Sequence, residues 1–216
     1  ALSMWQQDYF LGYQGQGSVI LDVHCLDKAC WDTPLETEDR FVFVGRICEE
    51  KGAIQAIELC QQLGVKLSIA GPINAGTDSK YVAAFQSMCQ RFQSSVDYWG
   101  NLSYSTLIAV MSHAKAVIHP LLPGYEEAHS HKCVDALGTG CPVVSYRTGA
   151  MPEVVESGVD GFLVDNPQEF LQAMKEVDRL DRNVIKKRAW DRWGPQAVGD
   201  RVIAALERVA VGERWA

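Results

Sequence analysis

The sequence predicts an α/β fold, a parallel sheet of six strands with helices on both faces, followed by C-terminal helices. Three observations carry this. From residue 41 to residue 165, short apolar runs alternate with stretches of helical spacing. The runs are apolar at nearly every position, which suits strands covered on both sides rather than a half-exposed antiparallel sheet. After Pro167 no strand candidate remains, and the pattern is helical to Trp215.

The elements follow in order. Phe41-Val42-Phe43-Val44 is a strand closed by Gly45. Glu49 to Leu63 carries Ala53, Ile54, Ile57 and Leu63 at helical spacing, and Gly64 ends it as a C-cap. Val65 to Gly71 is the second strand, and Tyr81 to Phe92 is helical. Val96 to Gly100 is the third strand, and Ser103 caps a helix over 104–113. Ala116 to Pro120 is a strand, 127–138 a helix and Pro142 to Tyr146 a strand. Pro152-Glu153 opens a short helix, and Gly161 to Val164 is the last strand. The C-terminal helices break near Asp181 and again at Gly194-Pro195.

Residues 1–40 do not form a domain. They offer a helical stretch from Met4 to Leu11, a turn with Gly12, Gly15 and Gly17, and the run Ser18 to Val23. They read as the tail of a preceding domain and a linker. Residues 41–165 then form the ligand-binding domain, and 166–216 the closing helices. With no initiating Met, the chain reads as a piece of something longer.

Composition narrows the function. Hydrophobic residues make up 47% of the chain and charged residues 22%, which excludes disorder as the dominant state. A net charge of −7 makes nucleic acid an unfavourable partner, while leaving room for a local cationic site. No apolar run reaches the roughly 20 residues of a transmembrane helix. The seven cysteines are dispersed, odd in number and without a C-x-x-C pair. With no signal-peptide pattern, they read as reduced thiols in a cytoplasmic protein.

In an open parallel sheet, ligands bind beyond the carboxyl ends of the strands. The turn Gly45-Arg46-Ile47-Cys48-Glu49-Glu50-Lys51-Gly52 places two cations at a helix entry, and Gly45 lets a ligand approach the backbone. Spacing alone leaves two readings: a diphosphate site, or solvated charges paired with Glu49 and Glu50. The turn is neither a Walker loop nor a G-x-G-x-x-G fingerprint. Farther on, Glu127 precedes a helix, and Asp135 lies eight residues later, about two turns down. They suit sugar and ribose hydroxyls, or a helix-dipole carboxylate and a solvated surface residue. His129, His131 and Cys133 alternate in a helical stretch where i and i+2 do not face each other, which argues against zinc. Lys186-Lys187-Arg188 reads as a solvated helix face, and the irregularly spaced tryptophans read as packing residues.

Taken in order, these stretches resemble the C-terminal, donor-binding domain of the retaining GT-B glycosyltransferases of the group 1 family. The resemblance rests on Phe41 to Gly52, Leu67 to Gly71, Val96 to Gly100, Ala116 to Pro120, Ala136 to Val144, Gly149 to Val155 and Gly158 to Val164. It implies a Rossmann-like domain that binds a nucleotide-sugar donor. Arg46 and Lys51 match the family's diphosphate-binding pair, and Glu127 its donor-sugar carboxylate, so these three are the catalytic candidates. Asp135 falls where the family usually has a Glu that holds the ribose, and the turn containing Trp99 matches the nucleobase segment. The resemblance also implies a hexosyl transfer with retention, no metal and no other cofactor. The acceptor site would lie in an N-terminal domain that this chain lacks.

Two departures stand out. Asp135 is shorter than Glu by about 1.5 Å of reach. Ala128-His129-Ser130-His131 replaces the family's Gly-Phe-Gly-Leu, so His129, Ser130 and His131 join the donor-binding candidates. The alternative is a degenerate nucleotide-binding module without transferase activity. A nucleotide-sugar epimerase of the same architecture would not carry this Arg-x-x-x-x-Lys and Glu-then-Asp layout.

Overall fold

A computed structural model describes residues 22–212 together with Ser3, Met4 and Gln6. After a short helix α1 (Lys28–Trp31), the chain alternates between strands and helices. The first half runs β1 (Arg40–Val44), α2 (Ala53–Leu63), β2 (Lys66–Ala70), α3 (Ser79–Arg91), β3 (Val96–Tyr98) and α4 (Tyr104–His113). The second runs β4 (Ala116–His119), α5 (His131–Gly138), β5 (Val143–Tyr146), α6 (Met151–Val154) and β6 (Gly161–Val164). Helices α7 (Pro167–Glu176), α8 (Arg182–Trp193) and α9 (Pro195–Ala210) follow.

The strands form one sheet in the order β3-β2-β1-β4-β5-β6, and every pairing is parallel. The fold is Rossmann-like. Strand order reverses between β1 and β4, which opens a crevice at their carboxyl ends.

The two-residue period of a strand divides β1 between two cores. Phe41 and Phe43 join Ile57, Leu67, Ile69, Phe85, Val144 and Phe170 beneath α2, α3 and α7. Val42 and Val44 join Ile108, Met111, Val134, Leu137, Ile185 and Trp193 beneath α4, α5 and α8. This two-sided burial is the reason the runs are apolar throughout. Each buried Phe is worth about 1.5–3 kcal/mol relative to exposure.

Several boundaries move. The stretch from Glu49 begins as a 3₁₀ turn (Glu49–Lys51), and α2 starts only after Gly52, whose φ of 77° interrupts it. A Cβ on Gly52 would lie 1.9 Å from the Pro120 carbonyl oxygen, so the turn after β1 is pressed against the end of β4. The helix expected over 127–138 begins at His131, leaving Glu127 to Ser130 as a loop. Gly64, with φ of 66°, caps α2, Ser103 caps α4, and the breaks at Asp181 and Gly194 occur as read from the sequence.

The basic run is not one solvated face. Lys186 is buried and donates to the Thr33 carbonyl at 3.0 Å, Lys187 pairs with Asp191, and Arg188 pairs with Asp160 and Glu156. Of the expected N-terminal helix, Met4 and Gln6 are helical. The glycine-rich turn and the run Ser18 to Leu21 lie outside the described residues. No helix among the described residues is long and apolar enough to cross a membrane.

Candidate donor site

The reversal point gathers five residues from four segments. Gly45 follows β1 and extends the ladder by donating its amide to the Ala70 carbonyl at 3.0 Å. Lys51 closes the 3₁₀ turn and reaches across the crevice, its Nζ donating to Glu127 Oε2 at 2.7 Å. His119 is the last residue of β4, and its Nε2 lies 3.4 Å from the same carboxylate oxygen. Lys132 enters on the first turn of α5, and its Nζ lies 3.1 Å from where a Cβ on Gly45 would be.

The loop after β5 fixes Glu127. Gly149 has φ of 52°, and a Cβ there would lie 2.4 Å from the Glu127 carbonyl oxygen and 2.6 Å from its amide nitrogen. The next residue, Ala150, donates its amide to the Glu127 carbonyl at 2.7 Å. The carboxylate is thus aimed by its backbone rather than by a helix dipole.

Electrostatics follow from the packing. Burial pushes the Glu127 carboxyl upward, but His119, Lys51 and the Lys132 charge outweigh it and hold the group at about 2. Burial, reinforced by Lys132, brings the fully buried His119 down to about 4, so its ring is neutral at pH 7. Both His119 ring nitrogens are buried without a hydrogen-bond partner among the described residues. Burial and then the nearby Lys51 charge lower the Lys132 ammonium. The result is an ionised carboxylate beside two ammonium groups in a crevice. It can accept hydrogen bonds from sugar hydroxyls and meet the charge of a phosphate.

The other sequence candidates are distributed around this group. Arg46 points outward with 53% of its side chain exposed, 3.5 Å from Glu50. Asp135 is buried rather than solvated, and its Oδ1 accepts from Tyr104 Oη at 3.1 Å and lies 3.1 Å from His24 Nε2. Trp99 follows edge strand β3 and lines a separate hollow with Glu38, Arg40, Thr106 and His113.

His129 and His131 do meet, because residue 129 precedes the helix; their rings stand 5.2 Å apart, and His24 stacks on His131 at 4.5 Å. His129 Nε2 lies 3.3 Å from Asp22 Oδ2, which also accepts from Trp193 Nε1 at 2.5 Å. Among the described residues no group of three or more His, Cys, Asp or Glu is arranged to hold a metal ion. The Ser130 hydroxyl is buried ahead of α5 without a partner among the described residues. Sequence reading missed His119 and Lys132. The available signal was position: one ends a strand at the sheet's carboxyl edge, and the other lies between Glu127 and Asp135.

Comparisons with known proteins agree with this architecture. The family model "Glycosyl transferases group 1" matches residues 38–178. Glycogen synthase of Mycobacterium tuberculosis is 28% identical over 145 residues, covering 63% of this chain and 33% of that protein. AviGT4, a glycosyltransferase involved in avilamycin A biosynthesis, superposes with a TM-score of 0.78 at 23% identity, over 99% of this chain and 64% of that one. Anabaena HepE, solved in complex with UDP-glucose, superposes with a TM-score of 0.68 at 20% identity, over 79% of this chain and 49% of its own. At these identities the two structures are likenesses of fold. The chain spans about a third of the length of the glycogen synthase and about half of HepE.

Proposed function

The chain belongs to the group 1 glycosyl transferases, and from that premise we propose that it is the donor-binding half of a retaining hexosyltransferase. It holds a nucleoside-diphosphate sugar at the carboxyl ends of β1 and β4, and a preceding domain supplies the acceptor. The observation that carries the reading is the Lys51–Glu127 pair at 2.7 Å, which joins a cation of the first turn to the carboxylate of the second. UDP-glucose bound to a protein of the same fold supports a nucleotide-sugar ligand.

The roles follow from chemistry. Lys51, and Arg46 after swinging away from Glu50, meet the diphosphate. Glu127 accepts from hydroxyls of the sugar. Asp135 faces the ribose with Oδ2, since both of its bonds among the described residues fall on Oδ1. His129, Ser130 and His131 line the entry to α5, and the segment around Trp99 meets the base. Catalysis is positioning and stabilisation of the leaving diphosphate by the chain's own cations, without a metal.

One observation favours a second reading, a nucleotide-binding module without transfer. Asp135 is already engaged by His24 and Tyr104. A melt with UDP, GDP, ADP and their sugars tests the donor site, and a donor-turnover assay on the full-length protein, acceptor domain included, separates the two readings. Ligand at ten times its dissociation constant adds about 1.4 kcal/mol, a rise of roughly 3–6 °C for this size. The proposal expects that rise with one nucleotide family. No rise with any of them contradicts a donor site.

A further inference from the structure

The cations near the crevice differ in what neutralises them. Arg46 is largely exposed and pairs with Glu50. Lys51 is neutralised by Glu127 at 2.7 Å. Lys132 has neither an ion pair nor a hydrogen bond among the described residues. Its ammonium lies over Gly45, in the space a side chain there would enter, and within the field of both Lys51 and Glu127.

We infer that Lys132 is a direct ligand of the donor's diphosphate, a third cation set in place before the ligand arrives. This rests on the donor-site reading and adds to it a residue the family resemblance did not assign.

Three physical points support the inference. Lys132 is partly buried, and an ammonium held beside the Lys51 charge without a counter-charge of its own is costly; an anion arriving there relieves that cost. Gly45 leaves the approach to Nζ open along the end of β1, where a phosphate oxygen would sit. The groups facing Nζ cannot supply the missing charge. Glu127 is bonded to Lys51, burial raises the Cys133 thiol to about 11 and also raises Cys48, and His119 is neutral. An anion is the missing partner.

The test uses Lys132→Met, which keeps the length of the side chain and removes the charge. Binding of inorganic pyrophosphate, UDP, GDP, ADP and the bare nucleosides is measured by titration calorimetry, and melting is recorded without ligand. We expect affinity for pyrophosphate and for the preferred nucleoside diphosphate to fall about tenfold or more. Affinity for the matching nucleoside stays within about twofold. The ligand-free melting midpoint rises, because a partly buried, unpaired charge beside Lys51 is gone; a structural lysine would lower it. Should Lys132→Met fold poorly, Gly45→Ala is the second variant. Its methyl presses on Nζ and lowers pyrophosphate affinity in the same direction.

Unchanged pyrophosphate affinity in Lys132→Met overturns the assignment while leaving the donor site standing. So does equal loss for nucleoside and diphosphate. An unaltered chain that binds neither pyrophosphate nor any nucleoside diphosphate overturns both readings.

Discussion

His119 shows what a single side chain does here. Its ring is wholly enclosed at the end of β4, facing Glu127. The folded chain holds it at about 4, against about 6.5 for a free imidazole. As pH falls from 6.5 toward 4, the unfolded chain takes up a proton that the folded chain refuses, so stability is lost across that window. His131, also lowered by burial, adds to the same slope. Glu127 and Asp22, both held at about 2, extend the loss below pH 4. We expect the melting midpoint to be level between about pH 7 and 8 and to fall between pH 6.5 and 4, with a shallower fall in His119→Gln. A midpoint that stays level or rises over that window would sink this account of His119. At this scale the sequence was only partly legible. Residue type and turn left two readings open for Arg46, Lys51 and Glu127, which the family resemblance assigned to the donor, while the unpaired state of Lys132 and the enclosure of His119 depend on contacts between segments far apart in the chain.

At the scale of elements, the crevice is built by turns pressed on turns. Gly52 abuts Pro120, and Gly149 abuts Glu127, each in a left-handed conformation that an L side chain adopts only at a cost. We expect Gly149→Ala to lose about 2 kcal/mol or more through the φ penalty and the clash with the Glu127 backbone. The same change weakens nucleotide binding, because Glu127 loses its fixed aim. Chemical denaturation reads the first effect and calorimetry the second. An unchanged denaturation midpoint would show that the loop after β5 does not hold Glu127. Strands and most helix ends were readable, since apolar runs, Ser103, Gly64 and Asp181 each carry a local signal. The start of α5 was not. Residues 127–130 satisfy a helical pattern locally, but contacts with the β5 loop and with Asp22 hold them out of the helix. That difference also brings His129 and His131 together, contrary to a helical reading of their spacing.

For the whole molecule, the sheet order explains why one end of the structure carries the chemistry. Reversal at β1 and β4 leaves their carboxyl ends uncovered, and the turns after both strands converge there. The parallel six-stranded class was legible, because buried strands alternating with helices require it; the order of the strands was not, since it is set by which neighbours pair across the sheet. The convergence of Gly45, Lys51, His119, Glu127 and Lys132 is the central claim. An amide correlation spectrum of the labelled chain, titrated with the nucleoside diphosphate that most raises its melting point, tests it directly. The account predicts that the largest shifts fall on residues 45–52 and 127–132, with smaller ones near residue 99. Shifts concentrated elsewhere on the fold, or none at saturating nucleotide, would contradict it.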